Sequence, residues 1–75
     1  MRYITGAEIR RGDRVSLSGR RGVVVLSVDG DDYSDDFPRD DWAGLKQGVL
    51  VEFEEIGLMQ FYGAPDPDLE FLGRG

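Results

Sequence analysis

The pattern of hydrophobic and polar positions predicts a chain built mainly from short β-strands. Residues 14–18 alternate between polar and apolar side chains, which is typical of a strand with one buried face. Residues 23–28 form a mostly β-branched run, which indicates a strand covered on both faces or a curved strand whose faces change roles. Six candidate strands lie at residues 2–4, 14–18, 23–28, 48–54, 58–62 and 69–72. The last segment is equally compatible with one turn of helix.

Glycine-containing turns separate these segments and indicate that successive strands pair antiparallel. Residues 18–22 hold two glycines at a tight reversal, and residues 55–57 form the turn of a second hairpin. Five or six short antiparallel strands in so small a chain favour a closed or nearly closed barrel, because closure removes exposed strand edges. The residues expected to fill its core are Val15, Leu17, Val23, Val25, Val49, Val51, Phe53, Leu58 and Phe61.

Residues 29–42, which we call the acidic loop, interrupt the strand pattern. Its first eight residues contain five aspartates and a single large apolar side chain, Tyr33, so they cannot form the core of a strand. A short helix is predicted over residues 38–47, with a proline at its first position and Gly48 after its end. The expected fold is therefore mainly β, with one short helix in a long acidic loop.

Residues 12–24, which read Gly-Asp-Arg-Val-Ser-Leu-Ser-Gly-Arg-Arg-Gly-Val-Val, resemble the KOW-type element of small SH3-like barrels. That element opens with a glycine turn, runs through an alternating strand and turns on glycines into a valine-rich strand. The resemblance implies one SH3-like β-barrel domain over residues 1–75 and, as in ribosomal and elongation-factor relatives, contact with RNA. The turn is shorter here than in the family, and the acidic second half of the chain weakens the basic face.

A second resemblance involves residues 48–59 and 66–69, which are similar to segments of small, acidic, uncharacterised bacterial proteins. Some proteins of that type are immunity partners of secreted toxins. The resemblance implies a cytoplasmic inhibitor that binds another protein. An even simpler interpretation is that the acidic segments only keep a small protein in solution.

Composition limits the possible chemistry. The chain has 75 residues and hence one domain, a formal net charge of −6, and neither cysteine nor histidine. Thiol nucleophiles, thiolate metal sites and the commonest general base are therefore excluded. Residues 1–22 carry six arginines against two carboxylates, and residues 23–75 carry three cations against thirteen carboxylates. The acidic total makes nucleic acid an improbable main partner. No segment is long and apolar enough to span a membrane.

The acidic loop is the strongest candidate for a binding site, since carboxylates attract a basic protein and aromatic residues are enriched at interface centres. The predicted partner-binding residues are Asp31, Asp32, Tyr33, Asp35, Asp36, Phe37, Asp40, Asp41 and Trp42. The alternative is that Phe37 and Trp42 plug one end of the barrel while the aspartates face water. The expected partner is a protein with a basic surface, and the chain is expected to be a monomer or a small homo-oligomer.

Three other kinds of site are weighed against this one. The KOW resemblance offers an alternative nucleic-acid site at Arg10, Arg11, Arg20 and Arg21. A calcium loop beginning at Asp29 would require oxygen ligands and a glycine where Tyr33 and Ser34 stand, so no metal site is predicted. Carboxylate pairs such as Glu52 with Glu54 lack a deep cleft, so no catalytic residue, cofactor or enzyme activity is predicted.

Overall fold

A computed structural model describes residues 1–74 as a five-stranded antiparallel sheet with one short helix. The strands are β1 (Asp13–Leu17), β2 (Arg20–Ser27), β3 (Val49–Phe53), β4 (Gly57–Phe61) and β5 (Leu69–Arg74). The helix α1 (Arg39–Trp42) lies in the acidic loop and runs into a 3-10 turn (Ala43–Leu45). The order across the sheet is β4-β3-β2-β1-β5. The predicted mainly β fold with a helix in the acidic loop is confirmed.

The hairpin between β1 and β2 turns on two residues rather than the five expected. Ser18 and Gly19 both have positive φ, 51° and 87°, and Leu17 pairs directly with Arg20. Positive φ at both central residues is typical of a type I′ turn, whose backbone twist matches that of the two flanking strands. Because the turn is so short, β2 begins at Arg20 and is eight residues long.

The sheet curls around a single core. Register shifts occur between Arg14 and Val15 opposite β5, and between Val24 and Leu26 opposite β3. Such bulges bend a strand and increase its twist. Residues of the two edge strands β4 and β5 consequently pack in the same apolar cluster. The buried side chains of this cluster are Tyr3, Ile9, Val15, Val24, Val49, Val51, Phe53, Phe61 and Leu69. Leu26 and Leu50, which pair across β2 and β3, are buried outside it.

The predicted core is wrong in β2 and β4. Val24 and Leu26 are buried, whereas Val23 is 41% exposed, and Leu58 in β4 is 43% exposed. Leu58 pairs with the exposed Glu52 and so lies on the outer face. In β2 the reason lies in Gly22, which faces the core: a Cβ there would come within 2.7 Å of the Phe53 ring. Gly22 on the inner face puts the next residue, Val23, on the outer face, because side chains alternate along a strand.

The N-terminal segment is not the edge strand predicted for residues 2–4. It forms a single bridge between Arg2 and Glu8, yet it buries Tyr3 and Ile9. Neither residue was predicted to lie in the core, because the segment has no strand period.

A buried carboxylate ties this segment to the sheet. Asp13 is 1% exposed and accepts hydrogen bonds from the Tyr3 hydroxyl (2.7 Å), the Arg10 amide (3.0 Å) and Arg74 Nε (3.2 Å). We call this group the Asp13 clasp. It joins the N-terminal segment, β1 and β5, and burial together with the hydrogen bond to Asp13 raises the pKa of Tyr3.

Candidate functional site

The acidic loop is closed at its base where β2 ends and β3 begins. The amides of Val28 and Asp29 both donate to the Gly48 carbonyl, and the Gly48 amide donates to Asp29 Oδ1 at 3.0 Å. The N-terminal ammonium of Met1 donates to Asp29 Oδ2. This ammonium, and then the Gly48 amide, lower the pKa of Asp29. The first and last residues of the connection between β2 and β3 are thus held together by hydrogen bonds at the edge of the sheet.

Gly48 is required at this base by both conformation and space. Its φ is +87°, and a Cβ would come within 2.0 Å of the Phe61 carbonyl oxygen. The predicted helix over residues 38–47 is shorter in the structure, since Lys46 already adopts a left-handed φ of 70°. A left-handed residue ends a helix. Four residues of α-helix followed by the 3-10 turn replace the ten-residue helix.

Two of the predicted partner-binding aspartates are engaged within the chain. Asp31 lies 3.3 Å from Arg39 in the same loop. Asp32 lies 2.7 Å from Nε of Arg11 in the N-terminal segment. Both pairs are partly or largely exposed to solvent, so each contributes only about 0–1 kcal/mol to stability. The two ion pairs nevertheless neutralise two of the carboxylates that were predicted to contact a partner.

The other aspartates of the acidic loop face solvent. Asp35, Asp36, Asp40 and Asp41 are exposed and make no ion pair within residues 1–74. Two of them lie immediately before Phe37, and the other two lie in α1 immediately before Trp42. The structure thus brings four uncompensated carboxylates to the flanks of two aromatic residues.

The aromatic residues of the loop pack on each other. The Phe37 and Trp42 rings are tilted by 49° with centroids 5.7 Å apart, and both side chains are half-buried, as is Tyr33. Ser34 and Phe37 exchange backbone hydrogen bonds of 3.3 and 3.1 Å, which fix the turn that carries Asp35 and Asp36. Among the described elements, α1 lies against the 3-10 turn and has no strand as a close neighbour.

The four arginines of the alternative nucleic-acid site do not form one patch. Arg10 and Arg11 precede β1, while Arg20 pairs with Leu17 at the other end of that strand, roughly 15 Å away at about 3.3 Å per residue. Arg11 is paired with Asp32, and Arg20 lies 3.7 Å from Glu55. Arg21 and Arg10 are exposed. Acidic residues thus accompany two of the four positive charges.

No group of three or more acidic side chains within residues 1–74 converges closely enough to hold a metal ion. None of the described helices is long and apolar enough to cross a membrane.

A further set of exposed residues lies on the outer face of the sheet around Val23 and was not predicted from the sequence. The alternation of side chains along a strand is the signal for such a face. Locating it required the observed register, because the valine run of β2 does not itself show which residues point outward.

Comparison with protein-family models, curated proteins and solved structures finds no match to this chain.

Proposed function

We propose that this chain is a non-catalytic protein–protein interaction module whose acidic loop docks on a basic surface of another protein. The observation that supports this function is the group of four exposed carboxylates, without ion-pair partners in residues 1–74, beside the Phe37–Trp42 ring pair. Carboxylates that are already neutralised within a fold attract a partner weakly, whereas uncompensated ones steer a basic partner during its approach.

The construction of the loop also favours binding. Its base is closed by the hydrogen bonds between Asp29 and Gly48, and its turn by those between Ser34 and Phe37. A loop that is ordered before association loses less conformational entropy when a partner arrives. The Trp42 and Phe37 rings supply apolar area next to the charges, and partly desolvated aromatics are common centres of binding energy.

The proposed partner is a basic toxin or enzyme, and the proposed activity is inhibition of an immunity type, in which the loop covers the partner's working surface. Two features support this choice. Residues 23–75 carry thirteen carboxylates against three cations, which suits a strongly basic target. The second half of the chain also resembles small acidic bacterial proteins that include immunity partners.

The test begins with affinity capture from the native lysate, using the wild-type chain and the Asp35→Lys/Asp36→Lys variant. Asp68→Lys/Glu70→Lys is the matched control, because both positions are exposed and the change in net charge is the same. For each protein captured by the wild type and by the control, the affinity for the wild type and for the loop variant is then measured against salt. Affinity should fall with ionic strength, because exposed charges are screened within about 10 Å at about 0.1 M salt.

Trp42 provides a direct readout, since it is the only tryptophan of the chain and lies in the loop. Its fluorescence should change on binding, and the partner's activity should fall in proportion to the complex formed. A partner whose affinity ignores both salt and the Asp35→Lys/Asp36→Lys change would show that the acidic loop is not the docking site. A partner that binds with its activity intact would refute inhibition while leaving docking in place.

A further inference from the structure

The outer face of the sheet carries a row of exposed side chains that is electrostatically complementary to itself. Strand pairing places Arg14 of β1, Val23 of β2 and Glu52 of β3 side by side, and Leu58 of β4 follows Glu52. Leu72, at the bulge of β5 next to Arg14, is 54% exposed. We call these five residues the outer row. Across the sheet, the row is apolar, positive, apolar, negative and apolar.

Neither charge of the outer row is satisfied by the rest of the described chain. Arg14 and Glu52 make no ion pair within residues 1–74. They lie on opposite sides of Val23, so their Cα atoms are about 10 Å apart at two strand spacings. The outer row therefore presents one positive charge, one exposed valine and one negative charge, all available for contact with another molecule.

The loops leave the outer row itself uncovered, whereas the next row towards the acidic loop is covered, with Leu50 only 4% exposed and Gln60 bonded to the carbonyls of Leu45 and Gln47. An open groove of about 800 Å³ lies beside the outer row, and Arg14, Val23, Glu52 and Leu72 are among the residues that line it. The acidic loop does not line this groove, so docking here and docking at the loop are independent events.

We propose that a second copy of this chain packs face to face on the outer row. The two copies are related by a two-fold axis that lies in the interface above Val23, runs parallel to β2 and exchanges the two sides of the row. Arg14 then faces Glu52 of the second copy, and the same contact occurs twice, as a two-fold interface requires. Val23 meets its own equivalent, and Leu58 meets Leu72.

The next row of the outer face is compatible with this arrangement. Arg21 lies close to Val23 along β2 and would approach the Arg21 of the second copy. Each Arg21 has Glu54 of its own chain as its cross-strand neighbour, joined by a backbone hydrogen bond of 3.1 Å. A carboxylate therefore lies on the strand beside each arginine, where it lowers the repulsion between the two arginines.

The size of the face limits the strength of the dimer. Five strands about 4.8 Å apart and about five residues long present roughly 400 Å² per copy, about half of what a stable interface buries on each partner. The dimer should therefore be weak and should form only at high protein concentration. Its two charge pairs should fix orientation rather than supply most of the affinity.

The experiment is a charge exchange followed by sedimentation equilibrium from about 10 μM to about 1 mM protein. Arg14→Glu alone brings two carboxylates together at each contact, and Glu52→Arg alone brings two guanidinium groups together. Each variant should therefore dimerise at least ~10-fold more weakly than the wild type. An equimolar mixture of the two variants should dimerise more tightly than either alone, because a mixed pair regains contacts between opposite charges. The Arg14→Glu/Glu52→Arg double variant should dimerise by itself about as well as the wild type.

Recovery in the double variant also controls for folding, since only a folded chain can restore the contact. Val23→Asp, which brings two carboxylates together on the axis, should abolish the dimer. A wild-type chain that remains monomeric at the highest concentration would overturn the proposal. It would also be overturned if the singly reversed variants associated as tightly as the wild type, or if the double variant associated no better than either of them.

Discussion

The Asp13 clasp yields a stability prediction whose magnitude can be worked out from its three hydrogen bonds. Asp13→Ala leaves the Tyr3 hydroxyl, in a side chain only 2% exposed, without its acceptor. Stranding a buried donor costs about 1–3 kcal/mol. The Arg74 side chain is half exposed, so solvent screening limits its own share to under about 1 kcal/mol. We expect Asp13→Ala to lower the free energy of unfolding by about 2–4 kcal/mol, the sum of these losses.

Two further variants separate the contributions within the clasp. Tyr3→Phe removes one hydrogen bond but leaves Asp13 with two donors, so its cost should be about 1–2 kcal/mol. Arg74→Ala should cost less than about 1 kcal/mol. In a double-mutant cycle, Tyr3 and Asp13 should show a coupling of about 1–2 kcal/mol, because the hydroxyl no longer matters once its acceptor is gone.

The assay is urea unfolding followed by far-ultraviolet circular dichroism, with the midpoint compared at an unchanged slope. A small domain has a modest total stability, so an Asp13→Ala chain that is largely unfolded without urea also agrees with the prediction. The reasoning is refuted if Asp13→Ala lies within about 1 kcal/mol of the wild type, or if Arg74→Ala costs as much as Asp13→Ala.

Three other predictions rest on single features of the fold. Because the pKa of Tyr3 is raised, the folded chain keeps a proton that the unfolded chain loses above about pH 10, so stability should fall there by about 1.4 kcal/mol per pH unit. Tyr3→Phe should remove that slope in alkaline urea titrations, and a slope that persists would contradict it. Gly48→Ala should destabilise the chain by several kcal/mol more than Gly57→Ala, which also has positive φ but open space around it; equal losses would show that sterics at Gly48 are unimportant. Val24→Ala should cost about 2 kcal/mol and Val23→Ala under about 0.5 kcal/mol in thermal unfolding, and the reverse order would refute the observed phase of β2.

The strands themselves were predictable because their signals are local. The alternation over residues 14–18 and the hairpin signal over residues 48–62 correspond to β1, β3 and β4 within one or two residues. The acidic loop was also predictable, since closely spaced aspartates exclude a strand core without reference to the rest of the chain. Arg74 extends β5 beyond the predicted residues 69–72 because β1 offers it a partner, Asp13.

The errors arise where distant residues decide the outcome. The consecutive valines of β2 do not show which of them point into the core. That orientation depends on the Phe53 ring, more than thirty residues away, which packs against Gly22 on the inner face. Tyr3 is buried with its hydroxyl bonded to Asp13, a contact that no periodicity reveals.

In the candidate site, too, the local features were predictable from the sequence and the contacts between distant residues were not. Its residue types and their exposure follow from sequence, but the contact of Asp32 with Arg11 joins residues that are twenty-one positions apart and depends on the tertiary fold. The outer row depends on the register of β1, β2 and β3, which is set by a two-residue turn and two bulges. The resemblance to KOW-type elements and to immunity-type proteins stays a prediction.

The pairing of β1 with β5 has a consequence for how the chain is made. Leu17 pairs with Leu69, more than fifty residues further along the chain. The carboxylate of Asp13 can accept its hydrogen bond from Arg74 only after the whole of β5 has been synthesised. Until then the nascent chain can form the β1–β2 and β3–β4 hairpins, but the edge of β1 that pairs with β5 stays exposed to water. Sheets dominated by such distant partners acquire their structure slowly. Maturation should therefore wait until β5 has left the ribosome, with β1 exposed to chaperones in the interval.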